Sequence, residues 1–214
     1  MLRLLFLLSS FTLLNSSFAA GTCPLKDGDL VFIKSQTQQS ALLKVATGSE
    51  WSHVGAAFKN SAGWEVIEAV GPVKWTSLYS FIRRSRNLDY KVKRTTFEFR
   101  ISKVREYLEN KLGAPYDLIF SMDEARIYCS ELLWKAYKKV AKEEIGNLQK
   151  IGDLQVDNQA VMSVAKKRFD AYGMKFDPEA WKNSDVITPV QMMESDNLVD
   201  VSGATPKDLE ACLR

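Results

Sequence analysis

The sequence predicts an α+β fold, a small antiparallel sheet from the first half of the chain packed with helices from the second. Between residues 27 and 99, short runs rich in β-branched and aromatic residues alternate with turn-forming Gly, Asn, Asp and Ser. From Ile101 onward, apolar residues recur at helical spacing instead. No repeat, low-complexity tract or Pro/Gly/Ser-rich linker divides residues 20–214, which predicts one domain over that span.

The elements follow in order. DGDLVFI (27–33) reads as a turn leading into a short apolar strand. Leu42, Leu43 and Ala46 recur at helical spacing and predict a helix over 38–47. HVGAAF (53–58) and WEVIEAV (64–70) are strands, and the intervening KNSAG suits a hairpin. YKVKRTTFEF (90–99) is a further strand by its β-branched and aromatic content. Ile101, Val104, Leu108 and Leu112 form a helical stripe that Gly113 and Pro115 end. A second long helix begins near Cys129, with Leu132, Leu133, Ala136, Tyr137 and Val140 on one broad face. A third covers 158–169, and a fourth, 188–195, starts with Thr188 as its cap and Pro189 at the first helical position.

At 214 residues, 46% of them hydrophobic, the chain is long enough to bury a full core. Its net charge of +3 comes from 29 basic and 26 acidic residues with no dense basic block. Short runs such as Arg83-Arg84 and Lys166-Lys167-Arg168 read as solvated faces, and no nucleic-acid partner is expected. Residues 1–19 have the layout of a secretory signal peptide: Arg3, an apolar middle, and small residues at Ser17, Ala19 and Ala20. Ser9-Ser10 and Asn15-Ser16 make the stretch too polar and too short for a transmembrane helix. The expectation is a periplasmic or otherwise secreted protein, with no transmembrane segment in the mature chain. Lipidation at Cys23 fits less well, because Ala20 stands where a Leu-like residue is normally found. In an oxidising compartment, pairing of Cys23 with Cys212 would leave Cys129 as a lone thiol.

The chain contains one histidine, His53, so an imidazole partner for a Cys129 nucleophile must be His53. A thiol attacks as its thiolate, which a helix N-terminus and a neighbouring imidazolium both stabilise. The imidazole in turn needs an acceptor on its other nitrogen. Glu68 fills that place if 53–58 and 64–70 form a hairpin. Glu65 is the alternative, and three positions of separation turn it to the opposite face. A zinc site would have to rest on scattered carboxylates, since there is no C-x-x-C and no second histidine. No cofactor is expected, and no metal. No G-x-S-x-G elbow or phosphate-binding Gly-rich loop occurs.

Four ordered blocks, GDLVFIKSQTQQSALLKVATGSEWSHVGAAF, VIEAVGPVKWTSL, YLENKLGAPYDLIF and YCSELLWKAY, resemble the YiiX/YebB-like proteins. These are permuted papain-fold relatives of the NlpC-type cell-wall hydrolases. The resemblance runs from about Asp27 to Leu198 and includes VITPVQMMES. It implies a circularly permuted papain-like core in which the histidine strand precedes the cysteine helix. It also implies His53 as base, Glu68 as third member and Cys129 as nucleophile. GAPYD matches the G-x-P-Y segment of NlpC-type enzymes and makes Tyr116 a candidate oxyanion or substrate-binding residue, although the GG that follows in unpermuted relatives is missing here.

Three functions follow. The first is an exported cysteine hydrolase cleaving an amide bond, with cell-wall peptide as the expected substrate, through a thioester. The second is an acyl hydrolase or acyltransferase acting on lipid with the same triad. In that case Trp51, Trp64, Trp75, Phe120 and Trp134 either line an acyl pocket or simply form core. The third is a ligand-binding module without turnover.

Overall fold

The computed structural model describes residues 23–202 and 210–212; the expected signal peptide, residues 1–19, lies outside them. Strand β1 (Asp29–Ser35) pairs antiparallel with β2 (His53–Asn60), which sets Val31 opposite Gly55 and Ile33 opposite His53. A tight turn then joins β2 to β3 (Gly63–Ala69) as the expected hairpin, and β4 (Val73–Ser77) adds to its outer edge. On the other side of β1 come β5 (Ser85–Thr95) and β8 (Leu198–Asp200). The order is β4-β3-β2-β1-β5-β8, antiparallel throughout.

Both faces of this sheet are covered, which is why its central strands read as continuous apolar runs. On one face Leu30, Phe32, Val54, Ala56, Phe58 and Ile67 are buried with α4 (Cys129–Ala141), whose Leu132, Leu133, Ala136 and Tyr137 point inward. Helix α3 (Ile101–Glu109) packs beside α4. On the other face Val31, Ile33, Ala57 and Val66 meet Leu78 and Phe81 of α2 (Leu78–Ile82). Gly55 permits the close approach of that layer. A Cβ there would collide with Val66 Cγ1 and stand 3.0 Å from the Ile67 carbonyl oxygen.

Helix α1 (Gln38–Thr47) matches its expected span, with Thr37 Oγ1 accepting from the Ser40 N–H. Helix α5 (Gln159–Ala171) is capped by Asn158 and runs two residues past its expected end. Helix α7 (Pro189–Met193) starts at the Thr188 cap and ends earlier than expected, and α3 stops at Glu109, three residues short of Leu112. The strand expected at 90–99 is displaced. It begins at Ser85 and ends at Thr95, because Phe97 and Phe99 leave the sheet to pack edge-on against Tyr137. Not foreseen were β4, α2, β8, α6 (Pro178–Lys182) and the small pair of β6 (Gln149–Lys150) with β7 (Asp185–Val186).

Cys23 and Cys212 are joined as a disulfide, their Cα atoms 4.8 Å apart, against the cluster that holds Leu25 and Val31. Cys129 is the free cysteine. Among the described residues, no helix is long and apolar enough to cross a membrane.

Candidate active site

The β2–β3 ladder runs from Asn60–Gly63 to Ala56–Ile67, so one step further places Glu68 opposite Gly55. His53 lies two residues beyond Gly55, on the same face, which makes His53 and Glu68 a diagonal cross-strand pair. Their side chains meet, with His53 Nε2 2.5 Å from Glu68 Oε2. Glu68 has no solvent contact and accepts two further bonds, from Thr76 Oγ1 and from Arg84 Nη2, each at 2.6 Å. Glu65, three positions away, pairs instead with Phe58 across the ladder and accepts from Asn60 Nδ2. Burial works against the Glu68 charge, but the His53 bond and charge, reinforced by Arg84, outweigh it and hold the carboxyl down at about 2.

Cys129 is the first residue of α4, so its backbone N–H has no acceptor within the helix. The helix starts there because Glu131 accepts from the Tyr128 N–H at 3.0 Å, while Ser130 Oγ donates to the Ile187 carbonyl at 2.8 Å. Burial pushes Glu131 up to about 7 despite its contact with Lys135 at 2.8 Å.

Cys129, 2% exposed, meets His53 where β2 projects beyond the β3 ladder. Burial disfavours a thiolate here. The positive charge and hydrogen bond of His53, with N–H groups of Val54 and Ser130, outweigh it and lower the thiol below its ordinary value. Reciprocally, burial would neutralise His53, but the Cys129 charge and bond, followed by those of Glu68, raise it to about 9. Since Nε2 is taken by Glu68, Nδ1 is left for the sulfur. Each group thus favours the charged form of the other.

Tyr116 stands thirteen positions before Cys129, and a short backbone clamp brings it back. The Ile127 N–H donates to the Pro115 carbonyl at 3.0 Å, and the Asp117 N–H donates to the Ile127 carbonyl at 3.4 Å. A second clamp ties the loop to β4, with the Val73 N–H on the Ala114 carbonyl and the Gly113 N–H on the Val73 carbonyl. The phenol is buried beside Cys129. Burial first, then the charge and bond of the cysteine, push it well above its ordinary value, so it stays a proton donor.

Two contributors were missed, and one reading needs correction. Arg84 and Thr76 complete the Glu68 environment. The doublet Arg83-Arg84 is a solvated face only at Arg83: the Arg84 side chain is 29% exposed, with its guanidinium over the Phe81 ring and on Glu68. Arg168 likewise turns in, donating from Nη1 to the Leu118 carbonyl, whereas Lys166 and Lys167 are exposed. Of the aromatic residues weighed as an acyl pocket, Trp51, Trp64, Trp75 and Trp134 pack into or against the core. Phe120 lines a cavity, together with Trp181, which the sequence did not single out.

The chain is similar to the uncharacterized protein YiiX of Escherichia coli strain K12, at 30% identity over 182 residues, covering 84% of this chain and 87% of the relative. It is also similar to a solved structure described as metalloprotein yiiX from Escherichia coli O157:H7, at a TM-score of 0.73 and 29% identity, covering 83% of this chain and 96% of that one. Residues 24–202 match the family model of the permuted papain-like amidase enzymes, YaeF/YiiX, C92. With His53 and Glu68 ahead of Cys129 in one chain, it belongs to that family of papain-like cysteine amidases.

Proposed function

We propose that Cys129 is the nucleophile of this amidase, His53 its base and Glu68 the carboxylate that orients the imidazole. We further propose that the enzyme works outside the cytoplasm on a peptide of the cell envelope, with cell-wall peptide as the first candidate. The observation that carries the triad is the buried 2.5 Å contact of His53 with Glu68, on a ring whose other nitrogen is left for the lone thiol. Export is supported by the leader-like residues 1–19 and by the pairing of Cys23 with Cys212.

In this mechanism the Cys129 thiolate adds to the amide carbonyl carbon. The Cys129 N–H, free at the start of α4, and the Tyr116 phenol stabilise the oxyanion. His53 then gives its proton to the departing amine as the C–N bond breaks, leaving a Cys129 thioester. Water, deprotonated by His53, releases the carboxylic acid and restores the thiolate. Glu68 stays ionised throughout, held by Thr76 and Arg84.

The relative's description as a metalloprotein concerns that protein. Here, among the described residues, no group of three or more His, Cys, Asp or Glu side chains is arranged to hold an ion, and no step is assigned to one. A second reading, transfer or hydrolysis of a lipid-like acyl group, is favoured by the apolar cavity that Phe120 borders.

Amine release from cell-wall peptides, with mass-spectrometric trapping of acylated Cys129, tests the proposal. Cys129→Ala and His53→Ala should each lower turnover by roughly 10³-fold or more. Turnover surviving in Cys129→Ala would contradict it. Binding of peptide without turnover or acylation would indicate a ligand-binding module instead.

A further inference from the structure

The thioester proposed above has to be cleaved by water, with His53 taking the proton. A small polar hollow lies against that histidine, where the end of β1, the start of α1 and the lead-in to β2 meet. Tyr116, buried beside Cys129, is part of the same wall, so the hollow borders the proposed oxyanion site. Thr37, also in the lining, is exposed, which opens the hollow to solvent.

Its size limits what it can hold. There is room for roughly one or two water molecules and not for a substrate side chain. Its chemistry is equally restrictive. Three buried polar atoms in the wall have no hydrogen-bond partner within the protein: Gln39 Nε2, Ser52 Oγ and Arg84 Nε. Ser52 is 3% exposed, and its backbone is fixed by its N–H, which donates to the Ile33 carbonyl at 3.2 Å. The hydroxyls of Thr37 and Ser40 bond to each other at 2.8 Å, which leaves the occupant to the other three side chains. Buried polar atoms are nearly always paired, so three in one small wall call for a polar occupant. Gln39 Nε2 and Arg84 Nε only donate, whereas Ser52 Oγ also accepts. Water is small enough and answers both kinds.

We infer that this hollow holds the water that cleaves the acyl-enzyme, and that Gln39 and Ser52 are its positioning residues. This rests on the Cys129 reading above and deepens its second step. Once the thioester has formed and the amine has left with a proton, the imidazole is neutral and no longer faces a thiolate. Its free nitrogen then accepts one water hydrogen, Ser52 Oγ accepts the other, and Gln39 Nε2 donates to one lone pair. The second lone pair is left for the acyl carbon. As the water oxygen bonds to that carbon, its proton passes to His53, the C–S bond breaks and the sulfur leaves as the thiolate. The products are a carboxylic acid and the starting enzyme.

Partition of the acyl-enzyme between water and an added amine tests this. The purified protein is given p-nitrophenyl acetate as acyl donor and glycinamide as the amine, which is too large for the hollow. Acetate and acetylglycinamide are then counted, and Cys129 acetylation is followed by mass. Ser52→Ala and Gln39→Leu should each raise the ratio of amide to acid about tenfold, with the Cys129 thioester accumulating. Because the ratio is taken within one population of acyl-enzyme, partial misfolding does not move it. An unchanged ratio in both variants would overturn the inference and leave the triad standing. No acylation of wild-type Cys129, by this ester or by cell-wall peptides, would overturn the triad and the inference with it.

Discussion

At Glu68 three donors converge on one carboxylate without solvent contact, and the consequences are measurable at single residues. The carboxyl sits at about 2, below its ordinary 4.5, so its contribution to stability is full above pH 4.5 and drains away as pH falls towards 2. His53 runs the other way. Raised from 6.5 to about 9, it contributes fully below 6.5 and loses that contribution as pH climbs through 9. Glu68→Gln leaves His53 and Arg84 facing an uncharged partner and should cost about 3 kcal/mol in urea denaturation, with a flatter acid limb. It should also lower the His53 titration midpoint. One histidine in the chain gives one set of ring resonances by NMR, so the shift is read without assignment. An unchanged midpoint would show that Glu68 does not hold the ring. The His53–Glu68 contact and the place of Cys129 at a helix start were legible, because a lone His, a Cys before an apolar helical face and a parity argument on the hairpin leave few choices. Arg84 was not, since nothing in an Arg-Arg doublet says which of the two turns towards the sheet.

Among the elements, the hairpin and α4 carry the site, and both were legible from apolar runs bounded by turn residues. Where β5 ends was not. TTFEF has strong β-propensity, and only the presence of Tyr137 across the fold explains why Phe97 and Phe99 leave the sheet. Strand β4, short and following directly on Gly71-Pro72, offered too little alternation to be seen. The layer under β2 depends on Gly55, where any Cβ meets Val66 and the Ile67 carbonyl. Gly55→Ala should therefore destabilise by about 1–3 kcal/mol by thermal unfolding, and Gly55→Val by more. A neutral Gly55→Val would mean the two layers pack less closely there.

Across the whole molecule, residues 189 apart are tied by Cys23–Cys212 on the face of the sheet opposite α4. A loop of that length gives a crosslink worth up to about 5 kcal/mol in the unfolded chain. The double variant Cys23→Ser/Cys212→Ser should lose much of this in denaturant midpoint, yet keep the reactivity of Cys129. Loss of both together would mean the crosslink also shapes the site. The chain order, His53 and Glu68 before Cys129, was plain in the sequence and agrees with the permuted papain-like fold. The apolar cavity was not, because α1, α5 and the loop at Phe120 are far apart in sequence and become one wall only in the fold.

The proposed chemistry turns on Cys129 being an ionised nucleophile held by His53. The most direct measurement is the rate of Cys129 alkylation by iodoacetamide against pH, in the wild type and in His53→Ala. An ordinary thiol becomes reactive around pH 8.5. The wild-type rate should already be high well below that pH, and the His53→Ala profile should be displaced upward to 8.5 or beyond. A wild-type profile that follows an ordinary thiol and is unmoved by His53→Ala would contradict it.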